Sequence, residues 1–142
     1  VKPAKLQAVL EDLSVLERTE RIEYLIALGE EYRNFSAEEV PRDAKCRVPG
    51  CESEVYLGLS PLGEGLRFKF AVDNPQGISA MALATILDNS LSGEPLSHVS
   101  EISEDLIYDI FGRDLSMGKS MGLSGMVRMA RDSARYGKPL AS

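Results

Sequence analysis

Three side chains in this 142-residue sequence are soft enough to serve as nucleophile or metal ligand: Cys46, Cys51 and His98. A zinc site normally takes four ligands. A Cys-x4-Cys pair with one distant histidine is therefore a weak metal signal. A disulfide between Cys46 and Cys51 would close a short loop containing Pro49 and Gly50. The stretch Val1-Lys2-Pro3-Ala4-Lys5 leads into a charged amphipathic pattern with no apolar h-region, so no secretory signal is expected and reduced thiols are the default. Cys51 holds the more distinctive position, inside Arg47-Val48-Pro49-Gly50-Cys51-Glu52-Ser53. Pro49 fixes its own φ and Gly50 permits unusual φ, which together make a tight projecting turn. A thiol just after that turn either meets another molecule at the loop tip or packs as a small residue under the following strands. A thiol–imidazole pair with His98 has no local motif to support it. Met117-Gly118-Lys119-Ser120 has the ending of a phosphate loop, but the required earlier glycine falls on Arg113, and no apolar strand precedes it, so a nucleotide site is not expected.

The elements that must position Cys51 follow from periodicity. Leu6, Val9, Leu10 and Leu13 have helical spacing. Ser14-Val15-Leu16-Glu17 has the form of a capping box that opens a second helix, whose stripe is Ile22, Leu25, Ile26 and Gly29. Residues 34–45 are polar, contain Pro41 and read as a loop. The period then changes to two: Val55, Leu57 and Leu59 alternate, Pro61 to Gly65 supplies a turn, and Leu66, Phe68 and Phe70 alternate again. The pattern is an antiparallel hairpin with one wet face, ended by Asp73-Asn74-Pro75. Residues 79–91 form a nearly uncharged buried helix stopped by Ser92-Gly93-Glu94-Pro95. Ser103 caps a short helix with Leu106, Ile107, Ile110 and Phe111 inward and Gly112 at its end. A last helix runs from about Lys119 to Tyr136, with Leu123, Met126, Val127 and Ala130 on one face and Gly137 and Pro139 as its exit. The expected fold is one α+β domain over residues 1–142, a small antiparallel sheet (the hairpin plus a possible short third strand) covered on one face by helices.

Composition narrows the function classes. Hydrophobic residues make up 44% and charged residues 27% of the chain, as in an ordinary globular domain. No stretch approaches the ~20 apolar residues of a membrane span. The net charge of −6 disfavours nucleic acid. It is unevenly spread: residues 113–142 carry 6 basic and 2 acidic side chains. That basic end, with Arg128 and Arg131, is either a solvated helix face or a docking patch for an acidic protein surface.

The run Val48-Pro49-Gly50-Cys51-Glu52-Ser53-Glu54-Val55-Tyr56-Leu57 resembles the signature of the SufE-type sulfur acceptors (SufE/CsdE type), in which a Gly-Cys-x-Ser-x-Val turn leads into a strand. Ile22 to Gly29 resembles the family's second helix, and Asp73 stands where the family places an acid. Lys119-Ser120-Met121-Gly122-Leu123-Ser124-Gly125-Met126 resembles the start of its last helix, with Lys119 where Arg is usual. Cys46 is an additional thiol, expected to be packed. The resemblance implies a protein that takes persulfide sulfur from a cysteine desulfurase onto Cys51, stimulates that enzyme, and passes the sulfur to an iron–sulfur cluster scaffold. It is expected to act as a carrier rather than a stand-alone enzyme, in the cytoplasm, as a monomer or weak homodimer. Pyridoxal phosphate belongs to the partner, so no cofactor is expected here.

Transfer would be attack by the Cys51 thiolate. Glu52 and Glu54 oppose an anion there, so activation is expected from turn N–H groups, from Arg47 or from the partner. Gly50, Glu52, Ser53, Asp73 and Lys119 are expected to support the loop or the partner contact, Asp73 as a loop anchor rather than a base. The alternatives are a scaffold or metal-binding protein on a related fold, and a thiol hydrolase with His98 as base.

Overall fold

The computed structural model describes residues 2–137. Two helices open the chain, α1 (Ala4–Ser14) and α2 (Arg18–Glu31). Leu6, Leu10 and Leu13 are buried along α1, as their spacing requires. The break lies where expected, but the cap does not. Leu13 is fully buried, which keeps α1 wound through Ser14, whose hydroxyl donates to the Glu11 carbonyl. Glu17 takes the cap position instead, its N–H donating to the Glu20 carboxylate at 3.1 Å. The α2 stripe is also only half used: Leu25 and Gly29 are buried, while Ile22 and Ile26 face solvent.

The hairpin comprises β1 (Val55–Leu62) and β2 (Gly65–Val72), antiparallel. Its register pairs Val55 with Val72, Leu57 with Phe70 and Leu59 with Phe68, so one face is apolar throughout. Pro61 and Leu62 belong to the strand, and the loop is only Gly63 and Glu64, with Gly63 at φ +56° supplying the positive φ that two-residue hairpins favour. Helix α3 (Ile78–Leu91) covers the apolar face, packing against β2 and both opening helices. Two short helices, α4 (Leu96–Val99) and α5 (Leu106–Phe111), follow. The long α6 (Met117–Tyr136) completes the cover, its Ser116 cap accepting the Lys119 N–H at 3.2 Å.

The second face of the hairpin is not simply wet. Residues 35–46 lie across it, enclosing Val40, Cys46, Tyr56 and Ala71 in a small apolar cluster that Phe35 flanks. Gly58 permits this: a Cβ there would stand 2.9 Å from the Glu39 carbonyl oxygen. Both sheet edges are occupied as well. On β2, the Tyr32 hydroxyl donates to the Phe70 carbonyl (2.6 Å) and accepts the Val72 N–H (2.9 Å), and Ser92 Oγ accepts the Phe68 N–H. On β1, the Val48 N–H bonds the Val55 carbonyl (2.8 Å) and the Leu57 N–H bonds the Cys46 carbonyl (2.7 Å). The expected short third strand is therefore a single bridge, Arg47 to Tyr56. The segment that carries Cys51 is the edge of the sheet.

Candidate functional site around Cys51

The cysteine loop leaves this edge bridge at Val48 and returns as β1 at Val55. Gly50 turns it at φ +76°, and Glu54 takes φ +54°, a left-handed conformation uncommon for a residue with a Cβ. The returning leg is pinned to the end of the hairpin: the Asp73 N–H donates to the Glu54 carbonyl (3.1 Å) and the Asn74 N–H to the Ser53 carbonyl (3.2 Å). The Pro49-Gly50 turn forms, but it lies against α6 and its thiol points inward. Cys51 is 8% exposed and belongs to the main core.

Helix α6 makes that possible. A Cβ on Gly122 would lie 3.0 Å from Cys51 Cα and 3.2 Å from its Sγ, and one on Gly125 would lie 2.7 Å from the Pro49 carbonyl oxygen. Any larger residue at either position would push the loop away. In the sequence, Gly122 and Gly125 stand only inside the motif that opens the last helix. The signal of their role was there: Gly118, Gly122 and Gly125 recur at helical spacing and make one bare helix face.

Beside the thiol is a cavity of about 300 Å³, bounded by Cys51, Ser53, Gly77, Ile78, Lys119 and Gly122 among others. Burial pushes the Cys51 thiol above its ordinary pKa. The Ser53 N–H and hydroxyl and the Arg47 charge pull the other way, and Glu52 adds to the rise. The resting thiol is therefore neutral and sheltered, with anion-stabilising groups already around it.

Arg47 is held by Tyr56, which neither spacing nor pattern had singled out. Its guanidinium donates to the Tyr56 hydroxyl at 3.2 Å and lies 5.7 Å from the ring centroid. Arg42 flanks the same ring at 5.8 Å and pairs with Asp73 at 2.9 Å. Asp73 also accepts from Asn34 (3.1 Å), and these partners, Arg42 foremost, hold its carboxyl below the usual carboxylate range. Asp73 thus ties residues 34–42 to the end of β2. Lys119 is exposed on the first turn of α6 at the cavity rim.

Arg128 and Arg131 are not brought to this site. Relative to Gly122 they lie about 240° and about 180° around α6. Both bond Glu104, at 3.3 and 3.4 Å, and clasp the helix to the segment before α5. Their charge is taken up within the molecule. His98 is also remote: α4 meets the far end of α6, where Arg135 donates to the Ser100 carbonyl (3.1 Å), about 20 Å along the helix from Gly122. Cys46 is packed, as expected, in the cluster on the opposite face of the hairpin from Cys51. Cys46 and Cys51 are free thiols in separate apolar clusters. Among the described residues, no three His, Cys, Asp or Glu side chains converge as a metal site would require. No helix among them is long and apolar enough to cross a membrane.

Comparison with solved structures finds the same fold in the solution structure of a hypothetical protein from Thermus thermophilus. The two share 19% identity at a TM-score of 0.72, over 96% of this chain and 97% of that one. No curated protein matches the sequence significantly. Residues 7–134 match the family described as SufE, Fe-S metabolism associated domain. That match takes in all or most of every described helix, the hairpin and the sheltered cysteine on its edge, and the chain belongs to the SufE family.

Proposed function

We propose that this protein is a sulfur relay of iron–sulfur metabolism, with Cys51 as the atom carrier. In the receiving step the Cys51 thiolate attacks the outer sulfur of a persulfide on a cysteine desulfurase. A new S–S bond forms on Cys51, the donor's S–S bond breaks, and the donor cysteine leaves as a thiolate. The outer sulfur keeps its oxidation state, so no oxidant is needed, and the Cys51 proton passes to solvent or to the departing thiolate. Removing the product sulfur frees the desulfurase for its next turnover, and repetition of the step passes the sulfur to a cluster scaffold of the SufBCD type. The pyridoxal phosphate chemistry stays on the desulfurase, and this chain supplies only a thiol and its surroundings. We place the relay in the cytoplasm, where thiols remain reduced.

The observation that carries this reading is the seating of Cys51: a neutral thiol just after a Pro-Gly turn, held inward against bare glycines of α6 beside a cavity large enough for an added sulfur. Such a seat shields a persulfide from oxidation and requires the loop to swing outward during transfer. The test is desulfurase turnover with and without this protein, together with mass spectrometry of the product. Wild type and Cys46→Ser should stimulate turnover and gain one sulfur on Cys51, and Cys51→Ser should do neither. Added sulfur on Cys46 and none on Cys51 would sink the assignment.

A further inference from the structure

We propose that the groove between α2, α3 and the α5–α6 connection seats an apolar, carboxylate-edged segment of the sulfur-donating partner. This proposal rests on the relay reading and specifies how the donor is held.

The groove has a volume of about 670 Å³. Its apolar wall includes Ile22 and Ile26 from α2 and Ile78 from α3, which are 47%, 43% and 49% exposed. Single exposed apolar residues are ordinary, but a contiguous set is not. Ile22 and Ile26 lie on the stripe that helical spacing marks for burial, and the described residues do not cover them fully. The groove adjoins the Cys51 cavity, and Ile78, Ser79 and Lys119 line both. On the first turns of α6, Met117 and Met121 are also exposed, by 80% and 56%, the second beside Gly50. Methionine adapts its shape to a partner.

Size and charge select the occupant. A donor must bring its sulfur to Cys51, and a stable protein interface covers about 800 Å² on each side, far more than the mouth of one small cavity. A body seated over Cys51 therefore extends onto the adjoining groove. Arg18, Arg21 and Lys119 line it against the carboxylate of Asp114, on a chain whose net charge is −6. This local reversal of sign favours carboxylates beside the apolar residues of the donor segment.

The test is a binding titration against the cysteine desulfurase of the source organism, using wild type, Ile26→Glu and Arg18→Glu, with Cys51 alkylation of each free protein as a control. Both substituted side chains are solvent-exposed, and Arg18 pairs with Asp114, which is exposed as well. Ile26→Glu should weaken binding roughly tenfold or more. Arg18→Glu should weaken it several-fold, by a factor that shrinks at about 0.5 M salt. Alkylation of free Cys51 should be unchanged in both. Unaltered affinity in both variants would overturn the groove while leaving the relay intact, provided that wild type still gains sulfur. Groove-dependent binding without sulfur transfer would keep the groove and remove the relay. Loss of self-association with donor affinity unchanged would make a second copy of this chain the occupant and overturn the proposal.

Discussion

At the scale of single residues, the chemistry of Cys51 is a balance between burial and its neighbours. Desolvation favours the neutral thiol and sets the direction of the shift, while Ser53 and Arg47 oppose it. Because the folded pKa is raised, the inward seat is fully stable below the ordinary thiol pKa. That stability is lost as pH rises through the raised value. In a Cys46→Ser background, alkylation of Cys51 by iodoacetamide should therefore rise with pH about a midpoint above that of a free thiol. Arg47→Gln should move the midpoint further up, because a stabilising charge is lost, and Glu52→Gln should move it down. A midpoint at the ordinary thiol value, unmoved by either substitution, would mean that the thiol is already solvated at rest. In the proposed relay, partner contact supplies what burial withholds, by drawing the loop off Gly122 and exposing the thiolate.

At the scale of elements, the two-stranded hairpin is stabilised by what occupies its edges, since such a sheet alone is marginal in water. Tyr32, at the end of α2, fills the β2 edge by bonding both Phe70 and Val72. Desolvation outweighs the Val72 N–H and Arg42, and pushes its hydroxyl up to about 12. The sign follows directly: this contribution is intact below the ordinary tyrosine pKa and disappears as pH rises through about 12. Tyr32→Phe should cost about 1–2 kcal/mol near neutral pH and should flatten the alkaline loss of stability, both read from denaturant melts at a series of pH values. An unchanged alkaline limb would show that another group governs it. The opposite edge is the cysteine segment itself, so movement of Cys51 and the integrity of the sheet are mechanically coupled through the bonds at Cys46 and Val48.

At the scale of the whole molecule, an acidic protein presents a cationic groove next to its thiol, while the cations later in α6 are neutralised by Glu104 and Asp132. Glu104→Gln should accordingly leave donor affinity within about twofold. It should lower stability by no more than about 1 kcal/mol, because the pairs are partly solvated. Titration and thermal melting measure the two, and a large gain in donor affinity would mean that the freed Arg128 and Arg131 dock after all. Much of this architecture was readable in the chain. The alternation of Leu57 and Phe70, the Pro49-Gly50 turn ahead of Cys51, the helical stripes of α1 and α6 and the glycine stop at Gly112 are local patterns, and local backbone preference and periodic burial act over a few residues. The Glu17 cap, the cover that residues 35–46 lay over Tyr56, the clasp of Arg128 and Arg131 on Glu104, and the inward turn of Cys51 onto Gly122 were decided by tertiary structure. Each depends on segments distant in sequence meeting within a few ångströms, and spacing along one chain carries no measure of that distance. Sequence alone marked Cys51 as the candidate thiol, and only the packing of α6 against the loop decided that it waits inside.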